Sequence, residues 1–504
     1  MPNPLFDALF ARHLGADTPF LVCPGERTWS HDEFLRLAAR FANLLTELGL
    51  QRGDRLAVQV DKSPEALAVY AACVMSGVVF LPLNTGYTPH EVEYFISNSG
   101  ARLVLGRPQA RAALQPTCTA LDARFETLEA DGTGSFPDLA AELPESFVPV
   151  DRGEDDLAAL LYTSGTTGLS KGAMLSHRNL LSNARVLTET WRFTDRDVLI
   201  HALPIFHSHG LFVACNVMLL AGGSMVFLPR FELNSVMEAL PHATAMMGVP
   251  TFYTRLLDEP GFTRELVTGM RLFISGSAPL LAETHRAFEA RTGSRILERY
   301  GMTETNMNTS NPYDGDRRAG TVGPALPGVE IRVTDPDSGH EVPVGEVGMI
   351  EVRGPNVFRG YWRMPEKTAE ELRPDGFFIT GDLGTLAEDG YVTIVGRGKD
   401  LIISGGFNIY PKEVEEVLDA ESGVLESAVI GAPHPDFGES VVAVLVPEPG
   451  AMLDIATIEA EIGTRLARFK QPRHYVILEE LPRNSMGKVQ KKLLREQYRG
   501  IFET

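Results

Sequence analysis

A segment rich in glycine and hydroxyl side chains constrains this chain more than any other feature. The segment, Tyr162–Gly172, follows the short apolar run Leu157–Leu161 and contains three glycines, five serine or threonine residues and Lys171. Glycine lets backbone N–H groups approach a ligand closely, hydroxyl groups donate hydrogen bonds, and lysine adds a point charge. The pattern therefore predicts a strand that leads into a loop able to wrap a polyphosphate.

This segment has two other interpretations. A flexible surface loop favours the same residue types, so composition alone does not separate it from a phosphate loop. A Walker A loop is disfavoured, because Gly172 follows Lys171 where a magnesium-binding serine or threonine is required. The sequence thus argues against a P-loop nucleotide hydrolase.

Length and composition are those of an ordinary globular protein. The 504 residues suffice for roughly three folding units of about 150 residues, or for two unequal domains. Hydrophobic residues make up 44%, and the formal net charge of −20 disfavours electrostatic binding to nucleic acid or to an anionic membrane. The four cysteines are spread singly and the first residues lack a signal sequence, so we expect a cytoplasmic protein with buried thiols.

Two long apolar stretches, Ala66–Leu83 and Gly210–Leu228, approach the length of a membrane span. Glycines interrupt both stretches, and we interpret each as a buried helix, a turn and a strand. The stretches also resemble each other, since each runs from an apolar helix pattern through glycine to a Phe-Leu-Pro strand end. This repeat predicts two α/β subdomains packed side by side, with chance similarity as the alternative.

The pattern changes towards the end of the chain. Between Thr321 and Ile394, short runs separated by Gly, Pro and Asp predict antiparallel β structure. A helix over Pro411–Leu418 and a strand over Val441–Val446 are expected to follow. A boundary at residue 396 would divide the chain into a large domain, 1–395, and a small carboxy-terminal domain, 396–504.

Six segments, in order along the chain, resemble the acyl-adenylate-forming superfamily, which includes acyl-CoA synthetases, luciferases and the adenylation domains of peptide synthetases. The segments are Tyr162–Gly172, Gly276–Leu280, Glu298–Glu304, Thr380–Leu383, Gly396–Asn408 and Pro482–Lys488. The resemblance implies an α/β fold with a large N-terminal domain of two α/β subdomains plus a small β-barrel. It also implies a mobile α+β C-terminal lid domain that carries a catalytic lysine.

The resemblance implies a nucleotide site along these segments. Glu304 is the implied Mg²⁺ ligand, Asp382 the acceptor for ribose hydroxyls, and Lys488 the cation that bridges the substrate carboxylate and the α-phosphate. Thr303 is an implied phosphate contact and His207 an implied gating residue. The other implied ATP-binding residues are Thr163, Ser164, Gly165, Thr166, Thr167, Lys171, Gly276, Ser277, Ala278, Pro279, Arg299, Tyr300, Gly301, Met302 and Arg397.

Each of the three main residues also has an ordinary structural interpretation. Asp382 alone would suggest an Asx turn after glycine, and Glu304 alone would suggest a charge at a helix N-terminus. Lys488 alone would belong to a solvated basic cluster with Lys491 and Lys492. The ordered set of motifs is what favours the nucleotide site.

The implied reaction has two halves and requires ATP, Mg²⁺ and CoA. A carboxylate attacks the α-phosphate of ATP to give acyl-AMP and pyrophosphate, and a thiol then attacks the acyl carbon and releases AMP. The family rotates its lid between the halves, which places the expected hinge at Lys399. Gly405 and Gly406 are then expected to face the channel for the thiol.

The segments of the implied acyl pocket resemble those of malonyl-CoA synthetases. Leu203–Leu211 lacks the acidic residue with which peptide synthetases hold an α-ammonium, which disfavours amino acids as substrates. A second carboxylate needs a guanidinium, for which Arg255 is the first candidate and Arg299 the second, assisted by Ser277 or Ser275. A surface charge paired with a neighbouring acidic residue is an equal alternative for Arg255.

The remaining expectations concern the pocket wall, the partners and the rival functions. Ser208 and Met307 are expected to shape the wall of the acyl pocket. For His209, a packed core histidine is the alternative to a role in this pocket, and it is slightly favoured. The sequence thus predicts a malonate–CoA ligase, with methylmalonate as a further acid. The alternatives are a CoA ligase for another short or aromatic monocarboxylic acid and a non-catalytic acyl-adenylate-binding protein. Expected partners are small-molecule substrates and a lysine acyltransferase acting on Lys488, without nucleic acid or membrane insertion.

Overall fold

The computed structural model of the protein describes residues 2–163, 170–404, 407–434, 437–466, 468–484 and 487–502. The chain divides into two compact units. The first comprises Met1–Glu330 and Val352–Phe378, and the second comprises Ile331–Glu351 and Ile379–Thr504. A division of the chain at residue 396 stays a prediction.

The first unit alternates strands and helices. Its strands are β1 (Pro19–Val22), β2 (Thr28–Ser30), β3 (Arg55–Gln59), β4 (Val79–Pro82), β5 (Leu103–Gly106), β6 (Arg124–Thr127), β7 (Leu157–Thr163), β8 (Lys171–Ser176), β9 (Val198–His201), β10 (Ser224–Phe227), β11 (Ala245–Gly248), β12 (Leu272–Ser275), β13 (Leu297–Met302) and β14 (Asn306–Ser310). Its α-helices are α1 (Pro4–Leu9), α2 (His31–Glu47), α3 (Pro64–Ser76), α4 (Pro89–Ser99), α5 (Arg111–Ala120), α6 (Ser135–Ala140), α7 (His177–Thr190), α8 (Asn216–Ala221), α9 (Leu233–Ala239), α10 (Pro250–Leu257), α11 (Ala282–Thr292) and α12 (Pro365–Glu371). Short 3₁₀ helices cover Ala11–His13, Pro108–Ala110 and Leu240–His242, and a π-helix covers His209–Cys215.

Two sheets organise these elements. One has the strand order β14-β13-β12-β11-β9-β10-β1-β2, and the other has the order β6-β5-β3-β4-β7-β8. Their strands are parallel except for the antiparallel pairs β1–β2, β13–β14 and β7–β8. Parallel strands joined by helices are the architecture of an α/β domain, and the two sheets confirm the predicted pair of subdomains.

The two apolar stretches have the same local structure in the two sheets. Helix α3 ends at Gly77 and α8 ends at Gly222, both with positive φ, and each chain then enters its sheet as β4 or β10. A Cβ atom at Gly77 would lie 2.8 Å from Cγ2 of Val150. The turn therefore requires glycine both for its positive φ and for this close approach. The predicted helix, turn and strand are confirmed in both stretches. Within the described ranges, the structure has no helix of the length and apolarity needed to cross a membrane.

A pair of stacked histidines lies in the core of the first unit. The rings of His13 and His31 are 4.1 Å apart between centroids, and Phe20 stacks on the other side of His31 at 4.6 Å. Burial, together with a smaller effect of the neighbouring His13, lowers the pKa of His31 to about 4, and burial also lowers the pKa of His13. Both imidazoles are therefore neutral in the folded protein at pH 7.

This stack predicts a loss of stability in acid. The unfolded chain binds a proton at His31 near pH 6.5, whereas the folded chain resists protonation down to about pH 4. The free energy of unfolding therefore decreases as the pH falls through this window, by about 2 kcal/mol between pH 7.5 and pH 5. Melting temperatures of the wild type and of His31→Phe at these two pH values test this expectation. The substitution should reduce the acid-induced drop, whereas substitution of the exposed His90 by Phe should not.

The rest of the chain forms the second unit and two further sheets. Its strands are β15 (Glu330–Thr334), β16 (Gly348–Arg353), β17 (Phe378–Leu386), β18 (Val392–Arg397), β19 (Ile402–Ser404), β20 (Phe407–Ile409), β21 (Val424–His434), β22 (Gly438–Pro447) and β23 (His474–Ile477). Its helices are α13 (Pro411–Leu418), α14 (Ile455–Arg465) and α15 (Lys491–Gln497), with a 3₁₀ turn over Gly398–Asp400. The expected helix over 411–418 and the expected strand over 441–446 are confirmed by α13 and β22.

The antiparallel section differs from its prediction in one respect. Strands β15-β16-β17-β18 form a four-stranded sheet in that order, and β19 to β23 form a five-stranded sheet. Short runs separated by turn residues correctly predict the strands, because an alternating pattern specifies which face of a strand is buried. In the described part of the chain the first group is a sheet of four strands rather than the expected small β-barrel.

Candidate active site

The glycine-rich segment begins and ends in two paired strands. Strands β7 and β8 pair antiparallel, and Thr163 faces Lys171 across the base of the loop. Four of the predicted ATP-binding residues, Ser164, Gly165, Thr166 and Thr167, lie outside the described residues. The predicted strand before the segment is confirmed, and the described residues at its two ends pair with each other.

A chain of polar contacts starts at Lys171. Its ammonium nitrogen lies 3.0 and 3.1 Å from the two carboxylate oxygens of Glu371, and 4.1 Å from the ring centre of Tyr361. The Tyr361 hydroxyl lies 2.6 Å from Oε2 of Glu371 and 3.1 Å from Oε1 of Glu304. Burial alone would raise the pKa of Glu371, but hydrogen bonds from Tyr361, Lys171 and Lys367 outweigh it and lower the pKa. Glu371 is therefore ionised and holds the lysine at the base of the loop.

Glu304 lies in the tight turn between β13 and β14. Its side chain is buried, with 5% of the residue exposed, and its Oε1 accepts a hydrogen bond from the Thr163 hydroxyl at 3.3 Å. A hairpin turn excludes the alternative interpretation of Glu304 as a charge at a helix N-terminus. The same turn contains Thr303, and it follows Gly301, where a Cβ atom would lie 1.9 Å from the carbonyl oxygen of Asn306.

The residues around Glu304 fit a magnesium ion that arrives with a nucleotide. Mg²⁺ takes oxygen ligands and is usually held by one or two carboxylates together with substrate phosphates. Glu304 supplies one buried carboxylate, with the hydroxyl of Thr163 beside it. Among the described residues there is no group of three or more acidic, histidine or cysteine side chains that could hold a metal without a nucleotide.

A small pocket in the same unit brings two further predicted residues together. His207 and Thr303 line it with Tyr162, and the ring centres of Phe206 and His207 are 4.8 Å apart. The Tyr162 hydroxyl donates to Oδ1 of Asn98 at 2.6 Å, so this residue is fixed on the wall of the pocket. The predicted gating residue and the predicted phosphate contact are therefore neighbours.

Arg299 carries a buried charge in the first unit. It lies on β13 with 3% of its surface exposed, and its Nε and Nη2 have no hydrogen-bond partner among the described residues. Its guanidinium passes against Gly276, where a Cβ atom would lie 2.3 Å from Cζ. Burial lowers the pKa of Arg299 to about 9, and no carboxylate offsets this effect in the described structure. A buried cation without a partner is costly, so the site is built to receive an anion.

Further polar atoms without partners surround this guanidinium. Ser275 Oγ and His209 Nε2 are buried and lack a hydrogen-bond partner in the described residues. Nδ1 of His209 lies 3.2 Å from the hydroxyl of Ser277, whose φ of 71° is in the left-handed region. Burial lowers the pKa of His209 well below its ordinary value, and the charge of Arg299 lowers it further. The group therefore combines one cation with neutral donors at the carboxyl ends of β12 and β13.

The other predicted acyl-pocket residues divide between the interior and the surface. Ser208 is buried and donates to Oδ1 of Asn306 at 2.9 Å, and Met307 is buried against Gly301. Arg255 is exposed on α10, with its guanidinium 6.0 Å from the ring centre of Phe231. An exposed arginine does not fit a buried carboxylate site, so the preference among the two candidates passes from Arg255 to Arg299.

The turn after β12 contains the other residues predicted at the nucleotide. Gly276 is buried, whereas Ser277 and Ala278 are partly exposed and Pro279 is exposed. Tyr300 and Met302 are half-buried on β13. These residues occupy the ends of adjacent parallel strands, which is where ligands bind in open α/β sheets.

The second unit contains the predicted ribose-binding residue. Asp382 and Arg397 face each other across β17 and β18, and Nε of Arg397 lies 2.7 Å from Oδ1 of Asp382. Asp382 is buried, and its backbone N–H donates to the hydroxyl of Thr380 at 3.0 Å. Two residues beyond Arg397, Lys399 lies in the 3₁₀ turn. Burial and the charge of Arg397 lower the pKa of Lys399.

Lys488 lies in a closed turn of the second unit. Its backbone N–H donates to Oδ1 of Asn484 at 3.0 Å, and its carbonyl oxygen accepts from the N–H of Asn484 at 2.9 Å. The backbone of Arg483 pairs with that of Val489 in an isolated antiparallel β-bridge. The guanidinium of Arg483 donates to the carbonyl oxygen of Gly487 at 2.6 Å. The side of the turn that carries Lys488 is exposed. The predicted channel glycines, Gly405 and Gly406, lie outside the described residues.

Comparison with known proteins identifies the family. Residues 10–362 match the family described as AMP-binding enzyme, and residues 413–488 match the AMP-binding enzyme C-terminal domain. The chain belongs to the AMP-binding enzyme family. The predicted resemblance is therefore confirmed over most of the chain.

Individual relatives in this family are similar over nearly the full length. The crystal structure of ATP-bound MatB from Rhodopseudomonas palustris shares 57% sequence identity and a TM-score of 0.98 over 100% of both chains. The malonate–CoA ligase of Arabidopsis thaliana is 35% identical over 89% of this chain and 78% of its own length. The feruloyl-CoA synthase of an Amycolatopsis species is 36% identical over 94% of this chain and 95% of its own length.

Two residues of the site were not predicted from the sequence. Tyr361 and Glu371 connect the base of the loop with Glu304, yet Glu371 is 200 positions away from Lys171. Neither residue lies in one of the six segments that resemble the family motifs. A carboxylate next to a phosphate-binding lysine follows from charge balance, but its position in the sequence does not.

The contacts of Glu371 lead to a prediction for nucleotide binding. Lys171→Met should raise the KM for ATP about tenfold, because it removes a cation at the base of the phosphate loop, and charge-assisted hydrogen bonds contribute about 1.5–3 kcal/mol. Lys367→Met is a matched control, since Lys367 lies 3.1 Å from the same carboxylate of Glu371 but on α12. Steady-state kinetics with varied ATP should separate the two variants. Equal KM values for ATP in both would contradict the proposed role of Lys171.

Proposed function

We propose that this member of the family is an AMP-forming acid–CoA ligase that converts malonate, ATP and CoA into malonyl-CoA, AMP and pyrophosphate. The family match and the two ligase relatives support the class of reaction. The similarity to the malonate–CoA ligase supports malonate as the acid. An acyl-AMP intermediate follows from the class, because AMP rather than ADP is released.

The observation that carries the choice of acid is the buried guanidinium of Arg299. The single carboxylate of a monocarboxylic acid attacks the α-phosphate, so it cannot also bind the guanidinium of Arg299. The second carboxylate of malonate would form charge-assisted hydrogen bonds with Nε and Nη2, the two nitrogens that lack one. Ser275 at the end of β12 and Ser277 two residues beyond it would donate to the same carboxylate. The energetic cost of the buried cation is thus offset when the substrate is bound.

Residues of the first unit have separate proposed roles in the first half-reaction. Lys171 would contact the phosphates at the base of the loop, and Glu304 would hold the magnesium ion, which supplies charge neutralisation on the phosphates. Tyr361 and Glu371 keep Lys171 and Glu304 in place through their hydrogen bonds. Met307 and Ser208 would limit the length of the acid from the pocket wall.

The second unit supplies the remaining groups. Asp382 would accept hydrogen bonds from the ribose hydroxyls, with Arg397 as its ion-pair partner. Lys488 would stabilise the negative charge that develops between the attacking carboxylate and the α-phosphate. A protein that only binds acyl-adenylate has no need of this cation, which disfavours the non-catalytic alternative.

The principal alternative is a CoA ligase for a monocarboxylic acid. The 36% identity to the feruloyl-CoA synthase is the observation that favours this alternative. AMP formation with malonate, methylmalonate, acetate, propionate, benzoate and ferulate, each with ATP, Mg²⁺ and CoA, separates the two. A kcat/KM highest for malonate supports the proposal, and a kcat/KM highest for any monocarboxylic acid contradicts it.

Three expectations from the sequence stay predictions. They are the use of methylmalonate as a second acid, a cytoplasmic location, and modification of Lys488 by a lysine acyltransferase. The same set of reactions tests the first directly. Acylation of Lys488 would neutralise the charge on which the proposed mechanism depends, so it would switch off the first half-reaction.

A further inference from the structure

A partly buried lysine outside the proposed catalytic groups joins its own segment to the ends of β9 and β10. The ammonium nitrogen of Lys62 lies 2.8 Å from Nδ1 of His201, 2.8 Å from the carbonyl oxygen of His201 and 2.6 Å from the carbonyl oxygen of Leu228. It also lies 4.3 Å from the ring centre of Phe227. In the described residues no carboxylate pairs with Lys62, so its three N–H donors are matched by three neutral acceptors.

These contacts determine the tautomer of His201. Because the ammonium donates to Nδ1, this nitrogen is the acceptor and the ring proton lies on Nε2. Nε2 is 2.8 Å from the carbonyl oxygen of Gly210, to which it donates. The thiol of Cys215 lies 3.2 Å from the same carbonyl. By fixing the tautomer, Lys62 favours the hydrogen bond from His201 to Gly210.

The hydrogen bond to Gly210 closes a loop that carries proposed acyl-pocket residues. His201 ends β9, and residues 202–210 lead from there into the π-helix. The loop is tight at its base, since a Cβ atom at Gly210 would lie 2.1 Å from the carbonyl oxygen of Pro204. His207, Ser208 and His209 lie between these points, and the last two contact Asn306 and Ser277.

We propose that Lys62 is a positioning residue that acts through His201 to hold the loop 202–210, and thereby determines how tightly the acid is bound. The inference rests on the proposed function, because the loop is taken to line the acid site. Lys62 itself touches neither substrate nor nucleotide in this proposal. Its loss should therefore affect the KM for the acid far more than the KM for ATP.

The proposal includes a pH dependence. Burial lowers the pKa of Lys62 to about 7. The titratable groups that face it are His201, Cys215 and Cys23, and burial lowers the pKa of the histidine while it raises the pKa of both thiols. Lys62 is therefore the member of this cluster that loses a proton between pH 7 and pH 9. Deprotonation removes one of its three donors, so the KM for the acid should rise over this range.

Hydrogen–deuterium exchange tests the structural half of the proposal without requiring any activity. In Lys62→Met, the backbone amides of residues 203–211 should exchange at least about tenfold faster than in the wild type, while those of β3 should be unchanged. Arg230→Met is the control, because it removes an exposed positive charge two residues beyond Leu228. Exchange equal to that of the wild type in 203–211 would overturn the proposal.

Kinetics test the functional half with whichever acid the wild type uses best. Lys62→Met should raise the KM for that acid about tenfold, leave the KM for ATP within about twofold, and abolish the rise in KM between pH 7 and pH 9. His201→Gln keeps a side-chain N–H donor near Gly210 and should be milder than His201→Leu. Equal effects on the KM for acid and for ATP, or equal effects of the two His201 variants, would overturn it. A wild type that prefers a monocarboxylic acid would contradict the proposed function and leave this test intact.

Discussion

Arg299→Met should lower the kcat/KM for malonate by about 10²–10³-fold and leave turnover of monocarboxylic acids nearly unchanged. The expected loss corresponds to about 3–4 kcal/mol, which lies within the range of about 3–5 kcal/mol for removing one partner from a buried charge pair. The same substitution should raise the melting temperature of the protein without substrate. Its Nε and Nη2 are buried without a hydrogen-bond partner in the described structure, and methionine fills a similar volume without a charge.

Arg255→Met provides the matched control. It removes the same side-chain charge from an exposed position on α10, so neither malonate turnover nor melting temperature should change appreciably. Malonate should stabilise the wild type and Arg255→Met against heat, but not Arg299→Met. If Arg299→Met kept its malonate preference, or if Arg255→Met lost it, the assignment of the second carboxylate to Arg299 would be wrong.

Lys488→Met should reduce formation of the acyl-AMP intermediate by about 10³-fold or more. A fixed cation at developing negative charge contributes several kcal/mol to a transition state, and methionine keeps an unbranched side chain, one atom shorter, while it removes that charge. The second half-reaction, measured with prepared acyl-AMP and CoA, should stay within a few-fold of the wild type. Separate assays of the two halves therefore distinguish loss of catalysis from loss of folding.

Lys492→Met controls for loss of a positive charge in the same segment. Lys492 has a side chain that is 77% exposed, and it contacts Glu496 along α15. Both half-reactions should proceed as in the wild type. Equal losses in both halves for Lys488→Met would contradict a role confined to adenylate formation and would indicate a structural defect of the turn around Asn484.

The local structure of the site follows closely from the sequence. The predicted strand before the phosphate loop, the helix–glycine–strand repeat and the helix over 411–418 are all present, because each depends on neighbouring residues. Glycine after an apolar helix predicts a left-handed terminus at Gly77 and Gly222 for the same reason. These features need no information about distant parts of the chain.

The sequence pattern did not decide whether Arg255 or Arg299 is the buried arginine. On α10, Tyr253 and Leu256 are buried and Arg255 between them is exposed, an arrangement that helical periodicity allows. Arg299 is on a strand, and whether its side chain points into the protein depends on the register of β13 against β12. That register is a property of the assembled sheet rather than of the segment.

Pairings between distant residues could not be predicted at all. Lys171 meets Glu371 across 200 positions, and Lys62 meets His201 across 139. A lysine in a loop rich in glycine indicates phosphate binding, but nothing in that loop indicates which carboxylate restrains the lysine. The small β-barrel was expected from the family resemblance, and the strand pattern could not test it, since short alternating strands do not specify whether a sheet closes on itself.

Competition between two acids in one reaction tests the central claim most directly. Malonate and propionate, which are of similar size and differ by one carboxylate, should be mixed at equal concentration with ATP, Mg²⁺, CoA and the wild-type protein. The ratio of malonyl-CoA to propionyl-CoA then reports the ratio of the two kcat/KM values. A buried guanidinium that binds the second carboxylate predicts malonyl-CoA in excess by about 100-fold or more. Propionyl-CoA in excess would contradict a dicarboxylate site built on Arg299.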